Sequence, residues 1–191
     1  EAMPGVELVL TAKDVPNNEY GLGTPDQPVL CGPGSNKEGG DVVRFEGDQI
    51  ALIVAKDKRT AEAAAKKLVV DFEDLPVIDT LDKALAPDAH ILHPGRDSNI
   101  FHHNIVRMGD VAKAFEACAV VVEQTYDTPV QEHAYLQPEA GVAYYDEEDR
   151  ITVEVGGQWT HKDQEQIQHA LQIPLDKVRV IYPAIGGAFG G

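Results

Sequence analysis

Cysteine and positive charge are both scarce in this sequence. Only Cys31 and Cys118 occur in 191 residues, and neither belongs to a C-x-x-C pair, which excludes a disulfide scaffold and a multi-cysteine metal centre. Lys and Arg number 16 against 32 Asp and Glu, a formal charge of −16. A binder of phosphate backbones needs a basic face, so nucleic acid is not an expected partner, nor is an anionic membrane surface. No apolar run approaches the ~18 residues of a membrane span. The opening Glu1-Ala-Met-Pro-Gly-Val6 lacks the basic and apolar regions of a secretory signal. With free thiols, that points to the reducing cytoplasm. Internal repeats and low-complexity tracts are missing too. What remains is ordinary globular composition, 43% hydrophobic and 25% charged, with length for one large domain or two small ones.

The chain starts without Met and stops on Gly186-Gly-Ala-Phe-Gly-Gly191. Glycine-rich loops normally join two elements, because glycine's freedom carries an entropic cost; the expectation is an excised piece of something longer. Residues 6–10 read as a strand and 11–16 as a turn or one helical turn. Residues 17–41, rich in Gly, Pro, Asn and Asp, read as a long surface loop. Strand character follows at 42–45 and 49–55, Asp57 caps a helix over 58–68, and 69–73 is the next strand. Residues 42–73 thus read β-turn-β-α-β. The stretch 76–109 is irregular apart from a short helix at 79–85, and a domain boundary falls within it. Beyond it the pattern predicts a helix over 110–118, with Cys118 a small buried hydrophobe, and a strand over 119–126. An antiparallel hairpin of 140–145 and 150–155 turns about the acidic 146–149. A helix over 161–171 and a strand over 177–182 complete the chain before the terminal glycines.

Three segments could carry chemistry. Four glycines around Phe189 let main chain approach a ligand closely and offer N–H groups to an anion. This is neither G-x-G-x-x-G nor a P-loop, and a tight turn or tail is the other reading. In Gly156-Gly-Gln-Trp-Thr-His161, between strand and helix, Gln158 can donate a neutral hydrogen bond to an oxo or carbonyl acceptor. Equally, the glycines merely turn the chain and Gln158 is a surface residue. Glu132, His133 and Glu139 could serve metal or proton chemistry. Pro138 breaks any helix there, and a structural role in a buried loop is the stronger reading. His102 and His103 lack a third ligand at useful spacing and are taken as surface. His161 and His169 share a helix face but not an ion, and 146–149 reads as a solvated turn rather than a calcium loop. Residue chemistry alone stops at an acidic α/β protein with a glycine-lined turn.

Taken in order, the segments resemble the large subunit of the molybdenum hydroxylases, the xanthine dehydrogenase and aldehyde oxidase family. Residues 3–16, 43–55 and 69–76 resemble its hammerhead domain; 131–139, Gly157-Gln158 and 186–191 resemble successive stretches of its molybdopterin-binding domain. The resemblance implies an α+β fold: a hammerhead-type mixed α/β domain over 1–78, a linker over 79–109, and the truncated start of an α+β molybdopterin-binding domain over 110–191. It implies a molybdenum–molybdopterin cofactor, as such or in cytosine dinucleotide form. The family reaction hydroxylates a carbon of an aldehyde, purine or N-heterocycle with oxygen from water. Electrons then leave through iron–sulfur clusters and FAD on other domains or subunits, which makes the parent a hetero-oligomer acting on a small molecule. Gln158 matches the residue that hydrogen-bonds the apical oxo ligand of molybdenum. Gly187, Phe189 and Gly190 match the loop whose backbone lies against the metal ligands and pterin. Gln158 and Phe189 would therefore stand beside the metal without ligating it. Many relatives carry Glu where Gln137 stands. The family's catalytic Glu lies far C-terminal in a longer subunit, so this chain holds no catalytic residue and is expected to be inactive alone. The rival reading is a non-catalytic adaptor that keeps the fold. The expectation to examine is that Gln158 and the glycine–Phe189 turn share one wall of a pterin pocket.

Overall fold

The computed structural model describes residues 3–187 and residue 189. In chain order the elements are β1 (Val6–Leu10), β2 (Leu52–Ala55), α1 (Lys58–Ala65), α2 (Leu81–Leu85), α3 (Val111–Glu116), β3 (Gly141–Tyr145), β4 (Ile151–Val155), α4 (Thr160–Leu171) and β5 (Val178–Ile181). Residues Ile100–Ala134 form a unit separate from the rest.

In the larger unit β1 pairs antiparallel with β2, Leu10 opposite Leu52 and Val6 opposite Ala55. The expected β-turn-β-α-β over 42–73 is not formed, because only β2 and α1 exist there and β2 takes its partner from the N-terminus. Residues 42–45 fail as a strand for a local reason. The Asp48 carboxylate accepts from Arg44 N at 2.6 Å and Phe45 N at 3.3 Å, occupying donors that a ladder would need. Residues 69–73 form no strand among the described residues, because no neighbouring edge pairs with them. Asp57 caps α1 as its position suggests, accepting from Thr60 N at 2.7 Å.

The 17–41 segment is irregular, as expected, with many exposed residues, but it also sends several residues into the interior. Asn18, Leu30 and Cys31 are among the most buried residues, at 0%, 5% and 1% exposure. The Asn18 amide stands in for a strand neighbour: Oδ1 accepts from Leu30 N at 2.9 Å, and Nδ2 donates to Leu30 O at 2.7 Å and Ser35 Oγ at 2.8 Å. Buried amide donors and acceptors need such partners, so this side chain ties residues 18, 30 and 35 together.

β3 and β4 form the expected hairpin, Gly141 opposite Val155 and Tyr145 opposite Ile151. Its acidic turn is not simply solvated. The Asp146 side chain is 11% exposed and accepts from Arg150 N, Arg150 Nε, Glu148 N and Thr152 Oγ1, all within 3.0 Å. Burial pushes its pKa upward, and these bonds outweigh it, bringing the carboxyl down to about 2. After α4 the chain returns as β5, parallel to β4, with Ile151 beside Val178 and Glu154 beside Ile181. Gln164 of α4 donates to Val178 O at 2.7 Å, and Ala170 of α4 and Val178 of β5 are both buried. The 17–21 segment is tied to the same helix: Asn17 N reaches Ala170 O at 3.0 Å, and Gly21 N reaches Gln166 Oε1 at 3.1 Å. His169 Nε2 lies 2.9 Å from Glu19 Oε1 and 2.8 Å from Asn17 Nδ2. Carrying a proton, that nitrogen donates to Glu19; bare, it accepts from Asn17.

In the smaller unit Asp110 caps α3, accepting from Lys113 N at 3.1 Å. The strand expected over 119–126 is absent, and every residue from 100 to 134 is exposed. Cys118 is accordingly exposed rather than buried, since α3 has no packed face to bury it. The chain exposes 15427 Å² in all, whereas a folded monomer of its 20.7 kDa exposes about 8,900 Å². No helix among the described residues is long and apolar enough to cross a membrane.

Candidate functional site

Sheet topology brings three segments to one edge. Parallel β4 and β5 end on the same side, where antiparallel β3 begins. Residues 135–140, 156–159 and 182–187 therefore meet outside the carboxyl ends of the parallel pair, the place where open α/β sheets hold ligands.

Gln137 touches both glycine turns. Its Oε1 accepts from Gly186 N at 2.8 Å, and Leu136 N donates to Gly186 O at 3.2 Å. A methyl group on Gly156 would lie 2.5 Å from Gln137 Nε2, closer than any real carbon sits. Next to it, a methyl on Gly157 would strike the Tyr182 hydroxyl and lie 2.6 Å from Cζ. Only glycine lets the β4 exit close onto these two side chains. Tyr182 is held in turn, because its hydroxyl accepts from Trp159 N at 3.2 Å and donates to the Asp163 carboxylate. Burial, then the Asp163 bond, push the phenol up to about 12, so it stays protonated and pins the first turn of α4 to the end of β5. Across the edge Gly187 has φ 133° and Phe189 φ 45°, left-handed conformations that set the loop's path.

The residues singled out from the sequence fall as follows. Gln158 is exposed within the first turn, Gly187 is half-buried, and Phe189 is 63% exposed. Gly190 lies outside the described residues. Glu132 and His133 are exposed, not set in a buried loop; Glu132 Oε1 accepts from Ala134 N at 3.3 Å, and a segment in a unit without buried residues has no interior to enter. Glu139 accepts from Tyr135 Oη at 2.7 Å. His102 is exposed and bonds Asn104 Oδ1 at 2.9 Å. His161 lines a cavity of about 460 Å³ with Arg150, Gln164 and Arg179, while His169 belongs to the Glu19 contact. No group of three His, Cys, Asp or Glu side chains among the described residues is placed to hold a metal ion. Sequence reasoning gave no structural role to Gln137 and Tyr182. The usable signals were Pro138, which biases Gln137 to extended backbone, and the position of Tyr182 just past a strand end.

Residues 92–191 match the family model of the molybdopterin cofactor-binding domain, and residues 1–76 that of the aldehyde oxidase and xanthine dehydrogenase a/b hammerhead domain. The chain is 41% identical over 192 residues to a probable xanthine dehydrogenase subunit of Bacillus subtilis (strain 168), covering 100% of this chain and 24% of that protein. It is 37% identical to the nicotinate dehydrogenase large molybdopterin subunit of Eubacterium barkeri, covering 100% and 43%. The solved aldehyde oxidoreductase from Desulfovibrio gigas superposes with a TM-score of 0.85 at 30% identity, over 98% of this chain and 21% of that one. The chain thus spans less than half the length of these relatives.

Proposed function

The chain belongs to the aldehyde oxidase and xanthine dehydrogenase family, and we propose that in its parent protein it forms one wall of a molybdenum–molybdopterin site that serves carbon hydroxylation. One observation carries this reading. Two glycine turns, one holding Gln158 and the other leading to Phe189, meet across Gln137 at the carboxyl ends of β4 and β5.

The residues fit such a group. Close approach of the turns to Gln137 and Tyr182 leaves a rim of peptide groups and neutral amides, which suits a rigid, oxygen-rich anion better than carboxylates would. When bound, the molybdenum–pterin group supplies the redox chemistry, RH + H2O giving ROH, two protons and two electrons that pass to iron–sulfur and flavin groups on other domains or subunits. Gln158 would offer the bound group an uncharged donor. Gly187 and Phe189 would carry the second turn against the pterin, in its plain or cytosine dinucleotide form, with Gly190 matching the family's loop by resemblance. Tyr182 and Asp163 hold the first turn against the sheet, so its position does not depend on the ligand. Abstraction of the substrate's proton falls to a Glu in a later part of the parent subunit, and this chain alone does not turn over.

Its large exposed surface supports a place within a larger hetero-oligomer, cytoplasmic by our reading of its free thiols, with residues 1–78 as the hammerhead domain. The test is to express the parent subunit with its partners on ample molybdate, assay molybdenum and pterin, and screen aldehydes, purines and N-heterocycles by dye reduction. Near-stoichiometric cofactor and reduction with one substrate class are expected. A folded subunit with neither refutes the reading and favours an adaptor.

A further inference from the structure

β3 uses only half of its backbone. Asp146 N donates to Arg150 O at 3.0 Å beside the hairpin turn, and in an antiparallel ladder the bonded pairs fall on every second residue. With Tyr144 opposite Thr152 and Val142 opposite Glu154, the peptide groups of Tyr144 and Val142 turn toward β4. Those of Gly141, Ala143 and Tyr145 point the other way. Among the described residues β4 is the only strand beside β3, and nothing else bonds those three peptide groups. All five residues of β3 are exposed, Val142, Tyr144 and Tyr145 among them. An open edge carrying apolar side chains is a template for another strand, and folded proteins blunt such edges with charge, Pro, a bulge or a cover. Gly141-Val-Ala-Tyr-Tyr145 has no charge and no Pro, and its register runs without a bulge. A cover is what remains.

We propose that the outer edge of β3 takes a fourth strand from the remaining length of the parent subunit, apolar along its middle and basic where it passes the ends of β3. Three observations select that occupant. The chain makes up 24% of its Bacillus relative and 43% of its Eubacterium relative, and it exposes far more surface than a folded monomer of its mass. The parent therefore brings both the polypeptide and the need for cover. Next, β3 is flanked by Glu139 on one side and by Asp146, Glu147 and Glu148 on the other. Asp146 and Glu148 are engaged by Arg150, whereas Glu139 and Glu147 have no ion-pair partner among the described residues, which favours a strand with basic ends. Last, a second copy fits poorly. Pairing β3 with itself about Ala143 would set Glu139 against Glu147, like charges directly opposed, on chains of formal charge −16 each. The proposal involves no cofactor, so it stands or falls apart from the function proposed above.

The test is residue-resolved amide hydrogen exchange on the cofactor-free parent subunit, alone at two concentrations and again with its partner subunits. Val142 and Tyr144 report the pairing with β4 and serve as the internal standard. With the edge paired, the Ala143 and Tyr145 amides should exchange at least about a hundredfold more slowly than unstructured peptide. That protection should match the standard, hold at both concentrations and need no partner subunit. Ala143→Pro removes one outward N–H and leaves the β4 ladder whole, so it should speed exchange at Tyr145 at least about tenfold. Unprotected Ala143 and Tyr145 amides in wild type overturn the proposal. Protection that grows with concentration gives the edge to a second copy, and protection only with the partner subunits gives it to them; either overturns the assignment to the parent's own chain. Wild-type exchange at Tyr145 in Ala143→Pro means shielding without strand pairing and overturns it as well. Should that variant not fold, the wild-type measurement decides.

Discussion

Substituting Gly157 by Ala probes the tightest point of the site. The new methyl would meet the Tyr182 hydroxyl and lie 2.6 Å from Cζ and 3.0 Å from Cε1. Carbon contacts are comfortable near ~3.5 Å and beyond, so turn and ring must part by about 1 Å. The ring is not free to swing, since its hydroxyl holds Trp159 N at 3.2 Å and the Asp163 carboxylate. Overpacking of this kind costs about 1–3 kcal/mol, and each bond broken in relieving it adds about 1 kcal/mol. Restricting the unfolded chain returns under about 1 kcal/mol. The net expectation is a loss of about 2 kcal/mol. Urea unfolding of the chain, followed through Trp159, its one tryptophan, measures this directly. In the parent subunit the same change should lower molybdenum content. Tyr182→Ala in the Gly157→Ala background removes the colliding ring, so the double-mutant cycle should show more than about 1 kcal/mol of favourable coupling. A Gly157→Ala protein within about 0.5 kcal/mol of wild type, with full molybdenum, would refute the packing described here.

Asn18→Ala strips Leu30 of both its partners at a position with 5% exposure. Two buried peptide groups left unpaired cost about 1–3 kcal/mol each, partly offset by entering water, so a fall of about 3 kcal/mol in urea unfolding is expected, and under about 1 kcal/mol would contradict it. Glu19 is held below its ordinary 4.5, chiefly by the His169 hydrogen bond against the opposing effect of burial, with Lys37 assisting. A depressed folded-state value means that its contribution is present above pH 4.5 and fades as pH falls through the lowered value. The urea midpoint should drop on acidification, and Glu19→Gln should flatten that part of the slope. The 191-residue chain purified alone should carry no molybdenum, because it offers only one wall of the proposed site; stoichiometric metal in it would contradict that wall-only role.

What the sequence could reveal was what depends on neighbours close along the chain. The hairpin of β3 and β4, the cap at Asp57, and helix α4 follow from local periodicity and capping, and they stand where the pattern puts them. Residues 69–73 and 119–126 have the apolar composition of strands, but a strand also needs an edge to pair with, and composition does not reveal whether one is supplied. Loop composition at 17–41 was right about irregular backbone but missed its buried anchor at Asn18, whose bonds to Leu30 and Ser35 span a separation no local pattern records. The same limit applied at the site. The glycine turns stood out by composition, whereas Gln137 and Tyr182 gain their roles from the parallel pairing of β4 with β5, joined across α4. Pro138 was the nearest local sign.

The most direct test is a crystal structure of the cofactor-loaded parent subunit. If the two turns form its wall, pterin and metal atoms should lie within about 4 Å of residues 156–158 and of 186–187 and Phe189. A cofactor seated elsewhere, with both turns in contact only with protein or solvent, would contradict it.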